Sequence, residues 1–165
     1  MEEVKELEKL YSRRGYLLDV GTGWSKNLNK MLKWSKGTVI SVDSSDEPLA
    51  KALQKFPGDI KLELLRCVAQ RLPFRGSSFA LVSSTFVLHH IEDKRAVAKE
   101  FERVMKEGGL GLILDWLPTS PASSIHSPEV LKENMFETLS AFKKRFAYFT
   151  SKVMKETYLI YVEKR

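Results

Sequence analysis

The stretch Tyr16-Leu17-Leu18-Asp19-Val20-Gly21-Thr22-Gly23-Trp24-Ser25 decides the fold. An apolar run ends in an acid and breaks at once into a glycine turn, the pattern of a buried strand feeding a helix. Some twenty residues on, a second apolar run, Thr38-Val39-Ile40-Ser41-Val42, ends in Asp43. Gly21 and Gly23 allow positive φ in the turn and let the backbone approach a ligand closely. Asp43, at the tip of the second strand, can accept hydrogen bonds from both hydroxyls of a ribose. The pairing makes a pocket for a nucleoside-bearing cofactor, and by itself it suits more than one such cofactor.

Outward from this pair, strands alternate with helices. Val4, Leu7, Leu10 and Tyr11 recur at helical spacing before Gly15, which predicts an amphipathic N-terminal helix. Leu28, Met31 and Leu32 give the buried face of a helix ending before Gly37. A helix over residues 47–55 stops at Pro57-Gly58, and residues 60–67 and 79–84 read as strands. Ala96, Val97, Phe101, Val104 and Met105 mark a helix that Glu107-Gly108-Gly109 stops, and residues 110–114 form the next strand, ending in Asp115. Ser127-Pro128-Glu129 opens a helix over 128–142. Two closing strands, 146–153 and 157–162, can return antiparallel. The alternation predicts an α/β fold: a Rossmann-like, seven-stranded sheet, mostly parallel with a C-terminal antiparallel hairpin, and helices on both faces. A single domain over residues 1–165 is expected.

Composition excludes some classes. No apolar run approaches the roughly 20 residues of a bilayer span, and the charged start carries no signal-peptide core, so no membrane span and a cytoplasmic location are expected. The lone Cys67 can form no internal disulfide and no cysteine-based zinc site within one chain, and no metal site is expected. The formal charge of +6 has one local concentration, Lys143, Lys144, Arg145, Lys152 and Lys155. It reads as a solvated surface or as a patch for RNA, acidic protein or anionic lipid.

Five segments in order resemble the class I S-adenosylmethionine-dependent methyltransferases, and within them the ubiquinone/menaquinone C-methyltransferase group. They are Leu18-Asp19-Val20-Gly21-Thr22-Gly23, Asp43, Leu72-Pro73-Phe74, Ser83-Ser84-Thr85-Phe86-Val87-Leu88-His89-His90 and Arg103-Val104-Met105-Lys106-Glu107-Gly108-Gly109. The resemblance implies S-adenosylmethionine as cofactor, held by Asp19, Gly21, Thr22, Gly23, Asp43, Ser44, Val68, Ala69 and Ser84. Asp19 would orient the loop or reach the methionine ammonium, or else cap the turn amides. Ser25 stands where the family often has a third glycine. Val68 stands where the family commonly has an acid that accepts from the adenine amino group, a loss of about 1 kcal/mol in affinity.

Methyl transfer needs positioning and desolvation more than acid–base chemistry. Where a base is needed, the candidates are His89, His90 and Asp115; His89 and His90 read equally as an ordinary helix-start pair, and His126 reads as plain surface. Residues 84–87 lack the Asn-Pro-Pro-Tyr cluster that grips planar amines, and one cysteine excludes arsenite chemistry through several. The acceptor expected is a small molecule, with protein or RNA as alternatives. Trp116, Leu117, Ile125, Met135 and Phe136 are candidates for an apolar mouth. Two rival readings stand: a non-catalytic module that binds or activates a partner protein, and a nicotinamide-dependent oxidoreductase. Against the latter, no second substrate domain and no Tyr-x-x-x-Lys catalytic pair are expected.

Overall fold

The computed structural model describes residues 8–165. Val4 and Leu7, half of the apolar stripe assigned to the N-terminal helix, lie outside the described residues. Residues 8–11 are helical and Tyr11 is fully buried. In chain order the elements are β1 (Tyr16–Val20), α1 (Lys26–Trp34), β2 (Val39–Asp43), α2 (Asp46–Lys55), β3 (Leu62–Arg66) and β4 (Phe79–Thr85). Then follow α3 (Lys94–Val104), β5 (Met105–Trp116), α4 (Pro128–Arg145), β6 (Tyr148–Val153) and β7 (Thr157–Glu163). Short 3-10 turns occupy Leu88–His90 and Pro121–Ser124.

One seven-stranded sheet runs β3-β2-β1-β4-β5-β7-β6. The first five strands are parallel, and β7 and β6 return antiparallel, as the sequence predicts. The apolar residues of β1 alternate between two cores. Leu18 and Val20 join Val82, Ile113, Phe101 of α3 and Phe142 of α4 on one face, whereas Leu17 joins Leu81, Leu112, Tyr11 and Leu28 and Met31 of α1 on the other. Burying each such side chain stabilises the fold by about 1.5–3 kcal/mol relative to exposure, so both helical layers are fixed to the sheet.

Two boundaries differ from the sequence reading. β3 begins at Leu62, not 60, because Ile60 sits in a turn at 98% exposure and contributes nothing to the core. The helix before β5 ends at Met105, which takes extended backbone, so Gly108-Gly109 does not stop it. These glycines belong to an irregular start of β5. The step from Phe79 to Leu81 on β4 is matched by the step from Met105 to Leu110 on β5, and the extra residues loop out. Gly108 has φ +70, and a Cβ on Gly109 would stand 2.6 Å from the Lys106 carbonyl oxygen, which is why glycine occupies both positions.

Strand order reverses direction between β1 and β4. At such a point the connections leave to opposite sides and a crevice opens beyond the carboxyl ends of the strands. Asp43, the 21–23 turn, residues 84–90 and Asp115 all lie at or just beyond the ends of strands at this edge. Among the described residues no helix is long and apolar enough to cross a membrane.

Candidate active site at the carboxyl edge of the sheet

The glycine turn is held from below by a buried polar chain. Asp19, almost wholly buried, accepts from Asn27 Nδ2 at 2.7 Å and from Ser41 Oγ at 2.8 Å. Ser41 has one proton and gives it to Asp19, so the 2.7 Å contact between Thr22 Oγ1 and Ser41 Oγ has Thr22 donating. Tyr11 closes the chain by donating to Asn27 Oδ1 at 2.5 Å. Burial, opposed by these hydrogen bonds, pushes the Asp19 carboxyl up to about 6. The turn amides go elsewhere: Gly21 and Thr22 donate to the Val42 carbonyl. Asp19 therefore does not cap the Gly21 and Thr22 amides, and its hydrogen bonds link it through Ser41 to Thr22 of the turn.

From above, the turn is closed by Val87. Gly21 has φ +92, and a Cβ there would stand 2.1 Å from Val87 Cγ2. Gly23, at φ +44, donates its amide to Asp43 Oδ2 at 3.1 Å, and Ser45 donates to Oδ1 at 3.0 Å. Asp43 is half-buried. Each of its oxygens has one backbone partner and keeps a lone pair for a further donor, as ribose recognition requires. Ser44 beside it is exposed. Two non-glycine residues at this edge are forced into left-handed backbone, Ser25 (φ 58) and Phe86 (φ 59). Strain of this kind persists where surrounding structure over-determines it, commonly at functional sites. Ser25 thus takes the conformation a glycine would give, at the position where the resemblance leads one to expect a third glycine.

Ala69 is buried and Val68 exposed, after β3. Their loop is tied to α3: Arg103 donates to the carbonyls of Leu72 (2.8 Å) and Phe74 (2.6 Å), and Glu100 accepts the Leu72 amide at 2.7 Å. The Arg103 guanidinium, bonded to Glu100, holds that carboxyl below its usual range. Ser84, buried at the end of β4, has a hydroxyl with no partner among the described residues. The glycine cradle, the free acceptor capacity of Asp43 and this orphaned hydroxyl fit a nucleoside-bearing cofactor. A surface hollow of about 500 Å³ between α2 and β3, lined by Leu53, Phe56 and Leu64, shares no residue with this edge.

On the other side of the crevice His89 and Asp115 form one unit. Asp115 Oδ1 lies 2.6 Å from His89 Nδ1, and Oδ2 accepts the His89 amide at 3.0 Å. Oδ1 also accepts the Trp116 amide at 2.9 Å. The carboxylate accepts, so Nδ1 carries the proton and Nε2 is left as the free nitrogen. Of the pair at this turn His89 is thus the buried ring and His90 the exposed one, and Asp115 is bound to His89. His90 lies tilted against His89 with ring centroids 3.9 Å apart, and His126, expected to be plain surface, lies 5.1 Å from both. Burial, then the neighbouring imidazoles of His89 and His126, push the His90 imidazole below its usual value. Of the apolar-mouth candidates, Trp116 stacks on Phe86 at 4.0 Å, Leu117 is buried, Met135 packs against the core, and Ile125 and Phe136 are exposed.

Sequence reasoning missed Asn27, Val87, Glu100 and His126. Tyr148 and Lys152 do stand at Tyr-x-x-x-Lys spacing, contrary to expectation. They lie on strand β6, where four residues span about 13 Å, and so do not form the catalytic pair of a nicotinamide enzyme.

A family model described as a methyltransferase domain matches residues 18–113. The chain is 36% identical over 121 residues to a demethylmenaquinone methyltransferase of Chlorobaculum tepidum, covering 73% of this chain and 47% of that protein. It is 32% identical over 117 residues to the ubiquinone/menaquinone biosynthesis C-methyltransferase of Desulfotalea psychrophila, covering 70% and 46%. The chain therefore spans about half the length of the curated relatives it matches. In fold it is similar to a SAM-dependent methyltransferase of Aquifex aeolicus (TM-score 0.76, 20% identity, 97% of this chain and 88% of that one). It is also similar to the geranyl diphosphate C-methyltransferase of Streptomyces coelicolor (TM-score 0.75, 14% identity, 99% and 77%).

Proposed function

This chain belongs to the methyltransferase-domain family, and from that premise we propose that it binds S-adenosylmethionine and transfers the methyl group to a small aromatic acceptor of the quinol kind. The observation that carries the reading is Asp43, fixed by the amides of Gly23 and Ser45 with a lone pair free on each oxygen. When bound, S-adenosylmethionine supplies an electrophilic methyl group on a sulfonium, so the protein has to hold and desolvate rather than activate it.

Asp43 would hold the ribose hydroxyls, the 21–23 turn would lie under the methionine portion, and Val68 and Ala69 would flank the adenine. Asp19 acts through Ser41 and Thr22 to keep the turn in place. Across the crevice, His89 keeps its Nδ1 proton on Asp115 and offers Nε2 as a proton acceptor or as a hold on the acceptor oxygen. The stacked Phe86 and Trp116 rings present an aromatic face at the ends of β4 and β5. A ring-bearing acceptor agrees with that face and with the quinone-pathway names of the relatives.

Calorimetry of S-adenosylmethionine and S-adenosylhomocysteine with the intact chain and with Asp43→Ala tests the reading. Two charge-assisted hydrogen bonds are at stake, about 1.5–3 kcal/mol each, so the substitution should weaken binding a hundredfold or more. Labelled-methyl assays with demethylated quinols then test the acceptor. A folded protein that binds neither nucleoside overturns the proposal and leaves the partner-binding module.

A further inference from the structure

We propose that His89, His90 and His126 form a binding site for one divalent first-row transition ion, with zinc as the reference metal. The three rings come from two features: His89 and His90 from the turn after β4, His126 from the loop after the Pro121–Ser124 turn. One ring nitrogen from each lies within 4.8 Å of the other two. Zinc–nitrogen bonds of about 2.0–2.1 Å place tetrahedral ligands about 3.3 Å apart, so the rings need close by no more than about 1.5 Å. Exposed His90 and loop-borne His126 have the freedom to do so, while His89 is the fixed post.

That post is built as metal-bound histidines are. A ligating imidazole usually donates its second N–H to a carboxylate, which sets the tautomer and raises ligand basicity. Asp115, fully buried, takes His89 Nδ1–H at 2.6 Å and is held in turn by the His89 and Trp116 amides. Nε2 is left to bind metal. Neutral imidazoles suit zinc, copper, nickel and iron, and three protein ligands leave a fourth position open, the arrangement of catalytic rather than structural sites. The Lys94 ammonium, whose charge acts on His90, is engaged by the Ile91 carbonyl and Asn134 Oδ1, while Asp115 supplies a compensating negative charge. The site stands at the β4–β5 end, where the acceptor is proposed to sit. Its use there is to bind an acceptor oxygen and lower its proton affinity, taking over the role that His89 Nε2 has in the metal-free chain. That use rests on the methyl-transfer reading; metal binding itself does not.

The test is titration of the metal-free chain with Co²⁺, read by visible d–d absorption, and with Zn²⁺ by competition, both without nucleoside. One ion per chain is expected, with tetrahedral cobalt bands and all three imidazoles shifted in NMR spectra. His126→Ala and His90→Gln should each weaken binding ten- to a hundredfold with unchanged circular dichroism, and Cys67→Ser should bind as the parent does. Absence of binding, equal binding by His126→Ala, or loss of binding in Cys67→Ser overturns the proposal. Because no nucleoside is present, failure here leaves the Asp43 experiment untouched, and the reverse holds.

Discussion

Placing a methyl group on Gly21 perturbs the 21–23 turn in a way whose energy separates into two parts. Gly21→Ala forces an L-residue to φ +92 and drives its Cβ to 2.1 Å from Val87 Cγ2 and 3.0 Å from Cγ1 and Cβ. The backbone part costs about 1–2 kcal/mol. The wedge adds about 1–3 kcal/mol, because a β-branched valine has little rotamer freedom with which to step aside. The sum is about 3 kcal/mol, or a fall in Tm of about 6–12 °C for a chain this size. Val87→Ala alone removes two methyl groups from a half-buried side chain, about 1 kcal/mol. If the wedge is real, the double variant recovers its share. Only the Cβ contact at 3.0 Å remains, and the double variant should be about 2 kcal/mol more stable than addition of the singles predicts. Urea unfolding of the four proteins supplies this cycle directly. Additivity within about 0.5 kcal/mol would refute the reasoning, since distant or non-contacting sites behave that way.

Two further outcomes follow from buried and exposed acids at the same edge. Asp19 has an ordinary value of 3.8 and is pushed up to about 6 by burial, so the folded state holds its proton where the unfolded state has released it. Its stabilising contribution is complete below pH 3.8 and lost as pH rises through about 6. Asp19→Asn should remove that fall, gaining on the parent by up to about 3 kcal/mol between pH 4 and 7 in urea midpoints, with parallel pH profiles counting against it. Val68→Asp restores the acid expected beside adenine at an exposed position, so it should tighten S-adenosylmethionine five- to tenfold, about 1 kcal/mol, without altering Tm; an unchanged Kd in calorimetry would show that the loop is misaligned.

The parts of the molecule that were legible in the sequence are those governed by local pattern. Apolar runs closed by Asp19, Asp43 and Asp115 marked strand ends, and the glycines between Asp19 and Ser25 marked the turn, because strand burial and positive φ each leave a mark within a few residues. What was not legible depends on partners distant along the chain. Val87 closes on Gly21 from 66 positions away. Asn27 reads as a solvated first-turn residue until Tyr11 and Asp19 are seen to engage both ends of its amide. Ser41, a polar residue inside an otherwise apolar strand, was the one local sign that Asp19 has a buried donor. His126 carried no sign at all: a polar loop predicts exposure, and only the return of the chain after β5 brings its ring to the His89–Asp115 pair.

The edge at β1 and β4 is also where local preference and global fold disagree. Serine and phenylalanine disfavour left-handed backbone, yet Ser25 and Phe86 both adopt it, one entering α1 and the other leaving β4. Ser25 lets α1 start directly above the turn, with the Ser25 carbonyl accepting the Asn29 amide at 3.1 Å. Phe86 donates its amide to the Leu114 carbonyl at 2.8 Å, continuing the β4–β5 pairing, and its reversal precedes Val87 over the turn and His89 on Asp115. A single strained residue thus ties the glycine turn on one side of the crevice to the His89–Asp115 pair on the other. Relieving it would relax both at once, whereas strain retained for packing alone would touch only one.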